Sequence, residues 1–146
     1  IAIDRFLSEI LHNYHRQQQP VSARIESSAT IALRPMAMRR ALQNIIDNAI
    51  TYGSEAQISL HEDGAYLVIR VRDKGPGIPS DAMEEAFRPF TRLDPARNQT
   101  QSGAGLGLSI SRDIVQSHGG TIELRNRKKG LEVVINLPRT LELPSS

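Results

Sequence analysis

The chain has 146 residues, of which 39% are apolar and 23% are charged, and its formal net charge is +2. This length suits a single globular domain, and this composition excludes a disordered tail. The chain contains no cysteine, which excludes disulfides and thiolate metal sites, and no run of basic residues indicates a nucleic-acid partner. No apolar stretch approaches the roughly 20 residues that a membrane span needs, and the start at Ile1 indicates a fragment.

The first third of the chain is predicted to contain two helices separated by a short hairpin. Apolar residues recur at helical spacing over residues 3–17, and Pro20 ends that helix. Residues 21–26 and 30–33 are predicted as two short strands around a turn. A second helix is predicted from Pro35 to Tyr52, with proline at its first position and Gly53 as its stop.

The middle of the chain is predicted to form a hairpin and then an irregular loop. Ile58 and Leu60 alternate with polar residues, residues 62–64 turn, and residues 66–73 return as a strand. A Gly/Pro-rich corner at 74–79 leads to a short helix at 80–87. Residues 88–103 have no period, and a structureless loop of that length usually has a function.

The last part of the chain is predicted as a helix followed by a hairpin. The helix covers residues 106–118, with Leu106, Ile110 and Ile114 facing inward, and a Gly-Gly pair ends it. The final hairpin pairs residues 121–125 with 131–137 across a turn at Gly130. We expect an α/β (α+β) two-layer sandwich in which a mostly antiparallel sheet packs on three helices, with one domain at residues 1–140 and a tail at 141–146.

Two asparagines on the second predicted helix are candidate ligands. Asn44 and Asn48 are four residues apart, so they share one face that borders the apolar stripe. Side-chain amide oxygens are hard ligands that suit Mg²⁺. Taken alone, they are better explained as ordinary polar residues at a core edge, because such pairs are common.

Asp73 is a candidate ligand-binding carboxylate at the end of a strand. It has the parity of the apolar residues of that strand, so it points toward the core, where an unpaired charge is expensive. A purine amino group would be a suitable donor. The following Gly75 and Gly77 let the backbone approach a flat ligand. The alternative is a strand-end aspartate that begins a turn.

Glycines at the start of the last helix indicate a phosphate-binding segment. Residues 103–108 expose backbone N–H groups at a helix N-terminus, although they neither follow a strand nor include a P-loop lysine. Arg88, Arg92 and Arg97 in the preceding loop could pair with phosphates or remain solvated charges. His118 is interpreted as a helix-end residue rather than a catalyst.

These segments occur in one order, and that order resembles the Bergerat-fold ATPase/kinase superfamily. Residues 42–49 (LQNIIDNA) resemble the N box of histidine kinases, 73–78 (DKGPGI) the G1 box, 87–90 (FRPF) the F box, and 103–108 (GAGLGL) the G2 box. His118-Gly119-Gly120 resembles the usual end of the following helix. The run 89–97 further resembles the osmosensor (EnvZ-like) branch. The resemblance covers roughly residues 3–138.

The resemblance implies a sensor histidine kinase catalytic domain with a mixed sheet. Asn48 would hold Mg²⁺ that bridges the ATP phosphates, Asp73 would accept from the adenine amino group, and residues 88–104 would form a lid. Asn44, Arg92 and Arg97 would be the catalytic residues. The nucleotide-binding set would be Asn48, Tyr52, Asp73, Gly75, Gly77, Ile78, Phe90, Gly103, Gly105, Leu106, Gly107 and Leu108.

The implied partners are a phosphoacceptor helical hairpin of the same kinase and, indirectly, a response regulator. The hairpin itself is absent from the chain. The isolated domain is expected to be monomeric and to belong to the cytoplasmic part of a sensor kinase anchored in the inner membrane.

Two positions depart from the family pattern. Thr51 replaces a frequent Lys or Arg, which puts one phosphate contact in doubt. Asn44 occupies the position of the glutamate base of the hydrolysing relatives, and an amide cannot take a proton from water. This favours phosphoryl transfer over hydrolysis.

Three alternatives remain: a hydrolysing ATPase, a serine kinase of the same superfamily and a degenerate nucleotide sensor.

Overall fold

A five-stranded sheet is the framework of the described part of the chain. The computed structural model describes residues 2–27, 29–75, 108–126 and 130–138. The strands, in chain order, are β1 (Val21–Ile25), β2 (Ala56–Asp63), β3 (Tyr66–Arg72), β4 (Thr121–Asn126) and β5 (Leu131–Pro138). Their order in the sheet is β1-β2-β3-β5-β4. β1 runs parallel to β2, and the other three pairings are antiparallel.

Three helices lie among the described residues. They are α1 (Ile3–Arg16), α2 (Pro35–Gly53) and α3 (Ser109–Ser117). The helices and the inner face of the sheet bury a shared core, to which β3 and β5 contribute alternate residues. This arrangement confirms the predicted two-layer sandwich with a mixed, mostly antiparallel sheet. No helix of the described ranges is long and apolar enough to cross a membrane.

α1 and α2 form where the apolar period predicts them. The buried residues of α1 are those of the predicted stripe: Ile3, Phe6, Leu7, Ile10, Leu11 and Tyr14. Pro35 starts α2, as expected from its fixed φ angle and missing N–H. The predicted stop is displaced by one residue, because Gly53 is still helical and Ser54 adopts the left-handed conformation with φ 66°.

The predicted strand at 30–33 was wrong. In this segment the structure has only an isolated antiparallel bridge between Ala2 and Thr30, and β1 pairs with β2 instead. Ile31 and Leu33 are nevertheless buried. The alternation in the sequence therefore reports which side chains enter the core, and it does not require a ladder of backbone hydrogen bonds.

The predicted inward face of the last helix was wrong by one residue. Ile110 is 43% exposed, whereas Ser111 and Val115 are fully buried. Ile114 is partly buried at the margin of the core. Apolar spacing alone predicted the wrong face because the buried position in the first turn of α3 is a serine. An error of one residue rotates the predicted buried face by about 100° around the helix axis.

The predicted short helix at 80–87, the loop at 88–103 and the tail at 141–146 lie outside the described residues. The same is true of several predicted site residues: Gly77, Ile78, Arg88, Phe90, Arg92, Arg97, Gly103, Gly105, Leu106 and Gly107.

Candidate functional site

One face of α2 carries three of the predicted site residues. Asn44 and Asn48 are half-buried, and Tyr52 in the last turn is 42% exposed. Successive members of this series are four residues apart, which corresponds to about 6 Å along the helix axis. The face therefore extends for roughly two turns beside the core and ends where α2 meets the residues that follow β3.

Asn44 connects α2 to α3. Its Nδ2 donates to Ser111 Oγ at 3.2 Å, and Ser111 Oγ donates to the Ala41 carbonyl at 3.0 Å. Sequence reasoning missed Ser111, which has no exposed surface. The sequence contains a pattern that could have identified Ser111. If a small polar residue is allowed among the buried positions of α3, helical spacing relates Leu108, Ser111, Val115 and His118.

Asp73 is buried immediately after β3, as its parity predicted. It is 7% exposed. Its Oδ1 accepts two backbone hydrogen bonds, from Gly75 at 2.9 Å and from Leu131 at 3.1 Å. Its own N–H donates to the Leu131 carbonyl at 3.0 Å. Both of these side-chain bonds use the same oxygen, so Oδ2 is the oxygen oriented away from them.

Gly75 allows the chain after Asp73 to pack against the end of α2. A Cβ at this position would collide with the Tyr52 carbonyl oxygen and would lie 2.7 Å from the Gly53 Cα. The N–H of Lys74 donates to the Gly53 carbonyl at 3.3 Å. The lack of a side chain at Gly75 therefore has a cause within the protein, in addition to the predicted approach of a ligand.

His118 has a structural role at the C-terminal end of α3. It is 4% exposed, and its Nε2 accepts from the Arg34 N–H at 2.9 Å. Its Nδ1 lies 2.8 Å from the Ile114 carbonyl and must carry the proton of a neutral ring, because Nε2 is an acceptor. These bonds attach the segment before α2 to α3.

Tyr14 supports α2 from the side of α1. Its hydroxyl donates to Oδ1 of Asp47 at 2.7 Å, and Asp47 lies between Asn44 and Asn48 in the sequence. Burial, followed by the hydrogen bond and the negative charge of Asp47, raises the pKa of Tyr14 well above its ordinary value.

Leu108 lies at the start of α3 with its side chain 1% exposed in the core. In that position Leu108 can contribute to the predicted nucleotide site only through its backbone or by supporting the start of this helix. The arrangement of α2, α3 and Asp73 thus joins the described parts of the N, G1 and G2 boxes.

Residues 33–141 match the family model described as Histidine kinase-, DNA gyrase B-, and HSP90-like ATPase. The chain belongs to this ATPase family. It therefore binds ATP, as the resemblance implied. The match covers α2, Asp73 and all of the sheet except β1.

The named relatives that are similar to this ATPase domain are sensor histidine kinases. Sensor histidine kinase GtrS of Pseudomonas aeruginosa is 44% identical over 107 residues, which are 73% of this chain and 22% of that protein. The chain spans about a quarter of the length of the curated relatives it matches.

Solved structures show the same fold. The histidine kinase domain of the Escherichia coli osmosensor EnvZ is 29% identical with a TM-score of 0.74, covering 100% of this chain and 91% of that one. The histidine kinase ThkA, determined in complex with the response regulator protein TrrA, is 21% identical with a TM-score of 0.77, covering 96% of this chain and 41% of that one.

Proposed function

We propose that this domain binds Mg·ATP and transfers the γ-phosphoryl group to a histidine on a separate phosphoacceptor hairpin. The observation that carries the choice of transfer over hydrolysis is the environment of Asn44. Its amide nitrogen donates to the buried Ser111 hydroxyl, and an amide has no basic site with which to activate water. A neutral imidazole already has a lone pair and needs no such base.

Asp73 is the proposed acceptor for the adenine amino group. Its Oδ1 is held by two backbone N–H groups, and Oδ2 is oriented away from these bonds. A buried carboxylate with a fixed orientation can distinguish a donor from an acceptor on a purine edge. Tyr52, which is 42% exposed in the last turn of α2, is proposed to lie against the nucleotide.

Asn48 is the proposed magnesium ligand. It is half-buried on the face of α2 that connects Asn44 to the Asp73 end, and its amide oxygen has the chemistry that Mg²⁺ accepts. When bound, the ion would neutralise charge on the phosphate oxygens. We propose that the triphosphate site is completed by Arg92, Arg97 and the remaining glycines of the G1 and G2 boxes.

In the proposed reaction, an imidazole nitrogen of the acceptor forms a bond to the γ-phosphorus as the bond from that phosphorus to the β–γ bridging oxygen breaks. ADP leaves with that oxygen, and the domain contributes positioning and charge stabilisation. Loss of the tether to the hairpin should make the reaction slow and dependent on concentration.

The context of the domain is also proposed. Residues 1–140 would form the domain and 141–146 a tail, the isolated domain would be a monomer, and a response regulator would receive the phosphoryl group from the hairpin. The likeness to EnvZ supports the osmosensor branch, while GtrS shows that other branches are also similar. ATP as the substrate supports a cytoplasmic location.

The test mixes the domain, radiolabelled ATP and a sensor-kinase phosphoacceptor hairpin. We expect label on the hairpin that is labile in acid and stable in alkali, and less label with Asp73→Asn. Rapid ATP turnover without the hairpin would instead assign a hydrolysing ATPase. An acid-stable phosphoserine product would assign a serine kinase.

A further inference from the structure

Gly53 lies directly against the Asp73 side chain from the end of α2. A Cβ built on Gly53 would collide with the Cβ and Cγ of Asp73 and would lie 2.5 Å from its Oδ1. The atoms involved are at the root of a short side chain, so they cannot move aside without a backbone shift or a change of rotamer. A side chain at position 53 would therefore require either the Asp73 side chain or the end of α2 to shift.

Gly130 lies against Asp73 from the opposite element, immediately before β5. A Cβ there would collide with the Asp73 carbonyl oxygen and would lie 2.6 Å from the carbonyl carbon and 3.0 Å from Oδ1. Its φ of +106° is also one that residues with a side chain rarely adopt. The next residue, Leu131, provides one of the two N–H groups that hold Oδ1.

Gly53 thus lies against the side chain of Asp73, and Gly130 lies against its backbone carbonyl and Oδ1, so Asp73 is packed between the end of α2 and the residue before β5. The bond from Leu131 joins the Asp73 side chain to the start of β5, whereas the bond from Gly75 is local to the turn after β3. Close packing of this kind leaves Asp73 one orientation, in which Oδ1 faces the protein and Oδ2 faces away from those bonds.

We infer that Gly53 and Gly130 are positioning residues that determine base specificity by holding Asp73 in this orientation. The inference rests on the proposed function, in which Oδ2 accepts from the 6-amino group of adenine. Guanine presents a 6-oxo acceptor at that position, and two acceptors repel each other. Discrimination between adenine and guanine then depends on a carboxylate that cannot rotate. A mobile or displaced side chain would neither accept well from adenine nor repel guanine.

The test compares ATP and GTP binding in Gly53→Ala and Gly130→Ala, by competition with a fluorescent nucleotide. We expect the affinity for ATP to fall roughly 10- to 100-fold, the value of a charge-assisted hydrogen bond, with little change for GTP. The preference for ATP over GTP should therefore be largely lost. A merely structural role would weaken both nucleotides equally or lower only the melting temperature.

Gly64→Ala is the matched control. Gly64 also has a positive φ, +64°, but a Cβ there would meet nothing within 4 Å. This variant has the backbone strain without the collision, so it should lose some thermal stability and keep the preference for ATP. Loss of the preference in Gly64→Ala would overturn the inference, because strain alone would then account for the effect.

Asp73→Asn separates a failure of this inference from a failure of the proposed function. With its oxygen kept on the two backbone N–H groups, the asparagine would present an amide donor to the base, which should shift the preference toward GTP. If Asp73→Asn keeps the ATP preference, the adenine assignment itself is wrong. If Asp73→Asn loses it while both glycine variants keep it, only the positioning inference is wrong.

Amide hydrogen exchange on the wild-type protein provides a test that does not depend on the folding of a variant. A carboxylate held before ligand arrives should protect the Gly75 and Leu131 amides in the nucleotide-free protein. Exchange of both amides at unprotected rates, with protection only after ATP is added, would contradict the inference.

Discussion

The two ends of α2 are held in place by opposite means. At its N-terminal end, a ring nitrogen of the buried His118 side chain accepts a hydrogen bond from the Arg34 N–H at 2.9 Å. At its C-terminal end, Gly53 has no side chain and lets the Asp73 carboxylate approach the helix backbone. One junction is completed by a side chain, and the other is completed by the absence of one.

This difference separates stability from binding. The polar groups of His118 use their hydrogen bonds within the protein, so their removal should affect folding. Asp73 directs one oxygen to the protein and the other away from those bonds, so a change there should affect the ligand more than the fold. The four predictions below test this separation and are ordered by the largest effect on the free energy of unfolding that each one expects.

His118→Ala should have the largest effect. We expect the free energy of unfolding to fall by about 3 kcal/mol, from two lost hydrogen bonds of about 1 kcal/mol each and the space left by a buried ring. Chemical denaturation followed by circular dichroism measures the change. His118→Gln, whose amide oxygen can accept the Arg34 N–H, should recover part of it. A large loss of ATP affinity in folded His118→Ala would break the proposed separation.

Val115→Ala and Ile110→Ala form a matched pair on α3. Val115 is fully buried, and its truncation should lower the free energy of unfolding by about 2 kcal/mol. Ile110 is 43% exposed, and its truncation should change the free energy by no more than about 0.5 kcal/mol. Melting temperatures of the two variants give the comparison. Equal effects would restore the face of the helix that apolar spacing alone predicted.

Tyr14→Phe tests the support between the two ends of α2. Loss of the bond to Asp47 should lower the free energy of unfolding by about 1 kcal/mol near neutral pH.

The same variant predicts a difference in pH dependence. Because burial and Asp47 raise the pKa of Tyr14 in the folded protein, the folded state holds this proton more tightly than the unfolded state does. The stabilisation is thus fully present below the unfolded pKa of about 10 and declines as pH rises above it. Denaturation curves at alkaline pH should show this decline in the wild type, and a similar decline in Tyr14→Phe would refute the assignment to Tyr14.

Asn48→Ala should have only a small effect on folding, less than about 1 kcal/mol for a half-buried polar residue. Its effect should appear in binding: the part of the ATP affinity that depends on Mg²⁺ should be lost, while the affinity in EDTA stays the same. Titration of a fluorescent ATP analogue with and without Mg²⁺ measures both. An equal loss under the two conditions would remove Asn48 from the metal site.

The parts of the site that were predictable depend on local order in the chain. Four short motifs in sequence identified the family, and strand parity alone predicted that Asp73 points inward. Ser111 escaped prediction because a buried hydroxyl has no apolar signature, although its partners at Ala41 and Asn44 explain its burial. The strand expected at 30–33 failed because a pattern of burial does not specify which backbone supplies the hydrogen bonds.

The sequence by itself determined the two long helices, the two later hairpins and the order of the binding motifs, because apolar period, proline and glycine act on residues that are close in the chain. Only the tertiary structure decided that β1 pairs in parallel with β2 and that α3 turns Ser111 to the core. It also decided that Gly53 and Gly130 meet at Asp73. Those contacts join residues far apart in the chain, and their distances follow from how the sheet and helices pack as a whole.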